Sequence, residues 1–307
     1  MSDSANFRVP LGLDETERLT MPGEATKGEI YRCPECKSRL ILRQGTKTRA
    51  HFAHKATTNC SGESVLHRTA KLLIAQVLTE GSAPDFEITC AECQRPFCVA
   101  FPRSRSVVSS VEHRLSNGRV VDVAVLYAES VALAVEVYRS SAVTEDKAAD
   151  LSMPWIEVDA SDIIANPLIW RARQHALKVT RCRVCRRAEE IRNNALSSAL
   201  AEYRLTFNSD VYKVSPVACW KCHCVTPIFE WKDGEMWSKE SPLPSPHPRT
   251  LRFVFTKTAG TRYWANHCAS CGVVQGDFYL HRMISEFYMD SVDSARQELG
   301  IDDGHTL

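Results

Sequence analysis

Thirteen cysteines constrain this 307-residue chain more than any other feature, because ten of them stand in five C-x2-C pairs spread from Cys33 to Cys271. Pairing this regular reads as metal ligation wherever thiols stay reduced. No apolar run of 18 residues occurs, and the start Met1-Ser-Asp-Ser carries no basic segment. The expectation is therefore a cytoplasmic protein without a membrane segment or a signal peptide. A net charge of +1 excludes any argument for nucleic acid from global charge. The distribution is less even, since Arg171 to Arg187 holds seven Lys or Arg and no acid. A local patch of that kind can meet phosphates on a neutral protein, although a solvated helix face explains it equally well.

Zinc takes tetrahedral sets of thiolate and imidazole, and a structural site closes all four positions with protein. One C-x2-C pair supplies half a site, so the pairs must be matched. Cys33 and Cys36 find their other half in His51, His54 and Cys60. Strand alternation sends His51 and His54 to opposite faces, which favours Cys33, Cys36, His54 and Cys60 over a set with both histidines. Cys219 and Cys222 are closed by Cys268 and Cys271, with Cys224 as the spare thiol, the alternative being that Cys222 and Cys224 exchange roles. Cys90 and Cys93 are then left with Cys182 and Cys185, a long-range clip enclosing everything between them. About three structural Zn2+ sites are expected. Cys98 has no partner and reads as a small buried hydrophobe.

Between these knuckles the pattern alternates. Residues 1–29, broken by Pro10, Gly12, Pro22 and Gly23, read as an irregular arm, and residues 30–62 as a zinc finger or ribbon. Glu63–Leu78 reads as a helix, with Val65, Leu66, Ala70, Leu73, Ile74 and Val77 inward and Glu63, His67 and Lys71 on another face. Three strands follow at Ser106–His113, Arg119–Tyr127 and Val131–Tyr138, then a short helix over Ala142–Ser152, a strand over Pro154–Asp159 and a helical segment up to about Lys178. Residues 63–180 thus form an α/β core. Residues 181–307 form a helical and zinc-ribbon region, with a helix near Ala188–Tyr203, a proline loop over Pro242–Pro248, a strand over Leu251–Phe255 and a helix over His281–Leu299.

Chemistry points to the core. Glu136 sits within the apolar run V-A-L-A-V-E-V and Asp122 within V-V-D-V-A-V, on strands joined by a short turn. Burying a carboxylate there is costly unless a cation meets it. A hard Mg2+ or Mn2+ ion held by two carboxylates of neighbouring strands answers that cost, with Glu63 completing the set from the helix. His67 and Lys71 can meet a phosphate or polarise a water. Ordinary surface pairing along the helix, or an ion pair of Glu136 with Arg119 or Arg139, is the plainer reading of the same residues.

The segments Tyr31-Arg-Cys33-Pro-Glu-Cys36, Arg49-Ala-His51-Phe-Ala-His54, Glu63-Ser-Val-Leu-His67-Arg-Thr-Ala-Lys71, Arg119-Val-Val-Asp122-Val, Val135-Glu136-Val137-Tyr138-Arg-Ser140 and Pro154-Trp-Ile-Glu157-Val resemble the competence protein CoiA family, over roughly residues 30–160. That family is classed with the PD-(D/E)xK nucleases. The resemblance implies a restriction-endonuclease-like core carrying Asp122 and Glu136 as metal-binding acids and Glu63 as the helix acid. It implies a divalent-metal-dependent DNA nuclease or DNA-processing factor, acting on single-stranded or processed DNA, with recombination or defence proteins as partners. The superfamily's lysine position is Tyr138 here, which has neither the charge nor a suitable pKa to activate water. Lys71 or Lys147 could replace it from a helix, Lys71 being the first choice. The alternative is a non-catalytic zinc-ribbon protein that binds nucleic acid or a protein partner. The oligomeric state is left open.

Overall fold

The computed structural model describes residues 8–45, 49–55, 60–101, 107–140, 142–231, 234, 236–242 and 245–301. Ser106, Leu243, Pro244 and residues 1–7, all within expected segments, lie outside them. The chain has a mixed α/β fold and divides into two compact units, one running to Thr180 and the other beginning at Arg181.

The first unit starts with short strands at Arg8–Val9 (β1), Gly12–Leu13 (β2), Leu19–Thr20 (β3) and Tyr31–Arg32 (β4), followed by Arg39–Arg43 (β5) and His51–His54 (β6). They form one sheet in the order β1-β6-β5-β4-β2-β3. The described part of residues 1–29 is therefore not an irregular arm. Val9, Leu11, Leu13 and Leu19 are buried, and this apolar alternation decides the outcome over the prolines and glycines.

Helix α1 (Gly62–Thr79) is capped by Ser61, whose hydroxyl accepts from the Ser64 N–H. It buries Val65, Ala70, Leu73, Ile74 and Val77 on one side. A seven-stranded sheet follows, from Asp85–Thr89 (β7), Pro96–Ala100 (β8), Val107–Arg114 (β9), Val120–Tyr127 (β10), Ser130–Tyr138 (β11), Trp155–Asp159 (β12) and Ile169–His175 (β13). Its order is β8-β7-β13-β12-β11-β10-β9. Two short helices, Glu145–Asp150 (α2) and Ala160–Ala165 (α3), lie in the connections on either side of β12. Because α2 lies in the β11-to-β12 crossover, those two strands run parallel. The helix expected to run on to about Lys178 ends at Ala165, and β13 takes its place. Asn166 and Pro167 stop the helix, and Ile169–His175 pairs with strands on both sides.

Register in this sheet matters for chemistry. The β10–β11 hairpin turns at Ala128 and Glu129, both with positive φ, as tight two-residue turns require. Tyr127 and Leu126 pair with Ser130 and Val131, but after an irregularity Val125, Ala124 and Val123 pair with Leu133, Ala134 and Val135. The extra residue, Ala132, advances the register by one. Continued one step, that register sets Asp122 opposite Glu136 instead of Val135.

The second unit opens with Arg183–Glu202 (α4), then Tyr212–Ala218 (β14) paired with Val225–Trp231 (β15). Leu251–Thr256 (β16), Thr261–His267 (β17) and Val274–Gln275 (β18) make a three-stranded sheet, and Asp277–Leu299 (α5) ends the described region. Tyr212, Phe229 and Leu251 form one core, and Ala188, Val292 and Ala295 hold α4 against α5. No described helix is long and apolar enough to cross a membrane.

Candidate metal centres and an acidic cleft

Two groups of ligating atoms, each within 4.8 Å of one another, stand out inside single units, the first and the third of the expected sets in chain order: Cys33, Cys36, His54 and Cys60; and Cys219, Cys222, Cys268 and Cys271. Each offers four sulfur or imidazole ligands, the composition of a closed structural zinc site. In the third group Cys219 and Cys271 bring their sulfurs to 3.8 Å, and Cys222 and Cys268 to 3.6 Å. A tetrahedron with Zn–S bonds of ~2.3 Å has edges of about 3.8 Å, whereas a disulfide needs ~2.05 Å. The donors thus fit zinc and do not fit disulfides.

Four of the five pairs sit in the same turn. The N–H of the first cysteine donates to the carbonyl five residues on, and the N–H four residues on donates back to that cysteine's carbonyl, at Cys33, Cys90, Cys219 and Cys268. The fourth residue after each, Lys37, Gln94, His223 or Gly272, takes a positive φ. Backbone N–H groups then point at the sulfurs. Cys182 differs, since it caps α4 by accepting from the Cys185 N–H. Burial pushes the Cys33 thiol up to about 12. At Cys36 burial acts the same way but is outweighed by Ser38, Cys60 and His54, and the thiol falls to about 6. Cys268 is raised by burial to about 12, while the Cys224 N–H holds Cys222 down at about 6.

His51 is outside the first group. Its Nδ1 lies 3.0 Å from the Arg49 carbonyl, and it opposes Arg43 across β5 while His54 opposes Leu40. Three residues apart on one strand, the two histidines face opposite ways. Cys98 is exposed on β8 and not buried as expected.

The acids of the core meet in a cleft of about 510 Å³ whose lining includes Glu63, His67, Asp122, Glu136, Lys147 and Glu157. Asp122 is held by its own chain: Lys71 Nζ stands 2.8 Å from Oδ1, His67 Nε2 3.3 Å from Oδ2, and the Val137 N–H donates to Oδ2 at 2.8 Å. Burial opposes its ionisation, but His67, Lys71 and that N–H outweigh it and keep its carboxyl well below the usual range. Glu136 is the opposite case. Burial, joined by the charge of Asp122, pushes it up to about 7 against the pull of Lys147. Two adjacent carboxylates are thus driven apart in acidity, a pattern that marks functional clefts.

Several expected roles move. Lys71 is buried behind Asp122 and also 3.4 Å from Glu112, so its charge is taken up in neutralising carboxylates. Lys147 is the lysine of the cleft, 2.6 Å from Glu136 Oε2. Tyr138 is not part of the lining, and its ring lies 3.5 Å beneath the guanidinium of Arg173. Glu136 does not pair with Arg119, which bonds Asp150. Glu157 was not singled out as a site residue, yet it is buried on β12 directly beside Glu136. Its signal in the sequence was the one Glu136 gave, an acid within an apolar strand. Among the described residues, only the cysteine and histidine groups bring three or more ligand atoms within 4.8 Å. The expected set of Glu63, Asp122 and Glu136 is therefore not a preassembled three-carboxylate metal site.

The basic run is largely neutralised. Arg171 pairs with Glu87, Arg173 with Glu157 and Asp159, Arg181 with Glu189, and Arg187 with Glu190 and Glu298. Lys178, Arg183 and Arg186 remain exposed.

Residues 18–63 match the family model described as Competence protein CoiA, N-terminal domain. That stretch contains the whole first zinc group and ends at Glu63, and it covers a small part of the chain. No curated protein and no solved structure matches.

Proposed function

We propose that this chain is a non-catalytic, zinc-built module that binds nucleic acid. The observation that carries this reading is the pair of closed four-ligand groups, one in each unit, which commits their metal-binding residues to architecture. Support for the ligand comes from exposed groups suited to a phosphate backbone and to bases. Arg183 and Arg186 are exposed on α4, and in the second unit a cleft of about 530 Å³ is edged by Trp220, Phe278 and Tyr279, all more than half exposed. Cations track phosphates and aromatic faces stack on bases with little sequence preference. Fluorescence anisotropy with labelled single-stranded DNA tests it. The zinc-loaded chain should bind with a Kd on the order of 1–100 µM, weakening as salt rises. No binding at low salt contradicts the reading.

A second reading is favoured by one observation, the convergence of Asp122, Glu136 and Lys147 in one cleft. On it the chain is a divalent-metal-dependent deoxyribonuclease with a restriction-endonuclease-like core over residues 63–180. The match to a competence-protein domain adds a DNA context. A bound Mg2+ or Mn2+ would lower the pKa of a water and offset charge on the phosphate. Lys147, supplied by α2 in place of the missing strand lysine, would orient that water and hold its proton toward Glu136. His67 and Arg139 would face the phosphate oxygens. Under this reading Mn2+-dependent nicking of plasmid DNA is lost in Glu136→Gln and Lys147→Met, with zinc content unchanged. Nicking that survives both substitutions removes the cleft from the chemistry.

A further inference from the structure

Every carboxylate oxygen in the cleft can be asked what satisfies it. Both oxygens of Asp122 are taken by Lys71, His67 and the Val137 N–H. Glu136 Oε2 accepts from Lys147 and Glu157 Oε1 from the Val143 N–H. Glu63 is exposed to solvent, and among the buried carboxylates two oxygens remain: Glu136 Oε1 and Glu157 Oε2 have no hydrogen-bond partner among the described residues. Arg173 Nε, on a half-exposed side chain, forms an ion pair with Glu157 Oε2 at 3.6 Å, which is too long for a hydrogen bond and leaves that oxygen only partly compensated.

These two orphans are neighbours. Glu136 and Glu157 are register partners on the parallel strands β11 and β12, which places their backbones ~4.8 Å apart. Both side chains line the same cleft, and the residues are 4% and 1% exposed. Leaving one buried carboxylate oxygen unsatisfied is costly, and two like-charged ones side by side more so. Val143 fastens Glu157 from one side and Lys147 fastens Glu136 from another, so the free oxygens are held in place.

From this geometry we infer that a hard divalent cation of the Mg2+ or Mn2+ class binds between Glu136 Oε1 and Glu157 Oε2, and that Asp122 is not one of its direct ligands. Two carboxylates suffice, because Mg2+ keeps several waters and is commonly held by one or two acids together with a substrate phosphate. That also accounts for the lack of a three-carboxylate cluster. Asp122 acts as a positioning residue: it grips the Val137 N–H next to Glu136 and fixes that strand against α1 through His67 and Lys71. The inference rests on the second reading of function and changes its ligand pair.

The test is Mn2+ titration of the full-length, zinc-loaded chain, read by the electron paramagnetic resonance signal of free Mn2+ with zinc content measured on the same samples. Wild type should take up one Mn2+ ion. Glu157→Gln and Glu136→Gln should each weaken it by roughly tenfold or more, Glu157→Asp should recover part of the loss, and Asp122→Asn should shift it less than either. Zinc content equal to that of wild type shows that a variant is folded. Asp122→Asn abolishing Mn2+ uptake while Glu157→Gln leaves it intact overturns the inference but keeps a metal in the cleft. Wild type taking up no Mn2+ overturns both the inference and the nuclease reading, and leaves zinc-dependent binding of DNA untouched.

Discussion

Asp122 and Lys71 depend on each other, since the lysine side chain is only 9% exposed and the carboxylate 17%. Asp122→Ala leaves that ammonium with only the half-exposed Glu112 at 3.4 Å and should cost about 2–4 kcal/mol in urea denaturation, whereas Asp122→Asn keeps an acceptor and should cost less. Asp277 gives a pH signature in the second unit. Burial lifts it from 3.8 to about 6, against the pull of the Trp237 N–H. The folded state therefore binds a proton that the unfolded state has released between about pH 4 and pH 6, and stability falls as pH rises through that window. Asp277→Asn should remove the fall, gaining on the order of 1 kcal/mol over wild type at pH 8 and nothing at pH 4, after allowance for solvent screening. At this scale the sequence was legible where strand alternation decides, as in His54 over His51. It ranked Lys147 behind Lys71, because a lysine delivered by a separate helix carries no spacing relation to Glu136. Lys71 looked available only because Asp122's need for a partner is invisible before the fold brings them together.

The knuckle turn is the recurring element, and its fourth residue past the first cysteine carries a backbone cost wherever it is not glycine. Lys37 occupies that position with φ 59°, and its contact with Glu17 is an exposed ion pair at 3.6 Å. Lys37→Gly should raise stability by about 0.5–1 kcal/mol while retaining the zinc, because a left-handed conformation strains any residue with a Cβ. Ser61 links the first cysteine and histidine group to the cleft, following Cys60 and capping the helix that carries Glu63 and His67. Ser61→Ala should cost about 1 kcal/mol and fray that first turn. Helices with a clear apolar face and strands bounded by turn residues could be read in advance. The sheet over residues 8–20 could not, because two-residue strands have no period to recognise, and they form only once β4, β5 and β6 supply an edge. The extra residue that brings Asp122 level with Glu136 was equally hidden, for a bulge exists only in the pairing of two strands.

On the proposed reading, the cysteine groups are the condition for folding of the molecule as a whole. Metal removal by a strong chelator should therefore unfold more than the knuckles themselves, with loss of near-ultraviolet circular dichroism and a refolding that requires zinc. Cys271→Ser should lower the zinc content by one ion, while Cys224→Ser should leave it unchanged, since the first belongs to a closed group and the second does not. The matching of distant pairs could be read from the sequence because C-x2-C halves have few ways to combine. What the protein holds could not, since the basic run that suggested a phosphate surface commits most of its charge to neighbouring acids. The central claim, a zinc-built chain that binds nucleic acid, is tested most directly by anisotropy of a labelled single-stranded oligonucleotide with metal content measured on the same sample. Salt-sensitive binding by a chain carrying about three zinc ions, lost on chelation and restored by zinc, is the predicted result. A chain that carries its zinc and leaves the oligonucleotide unbound at low salt would contradict it.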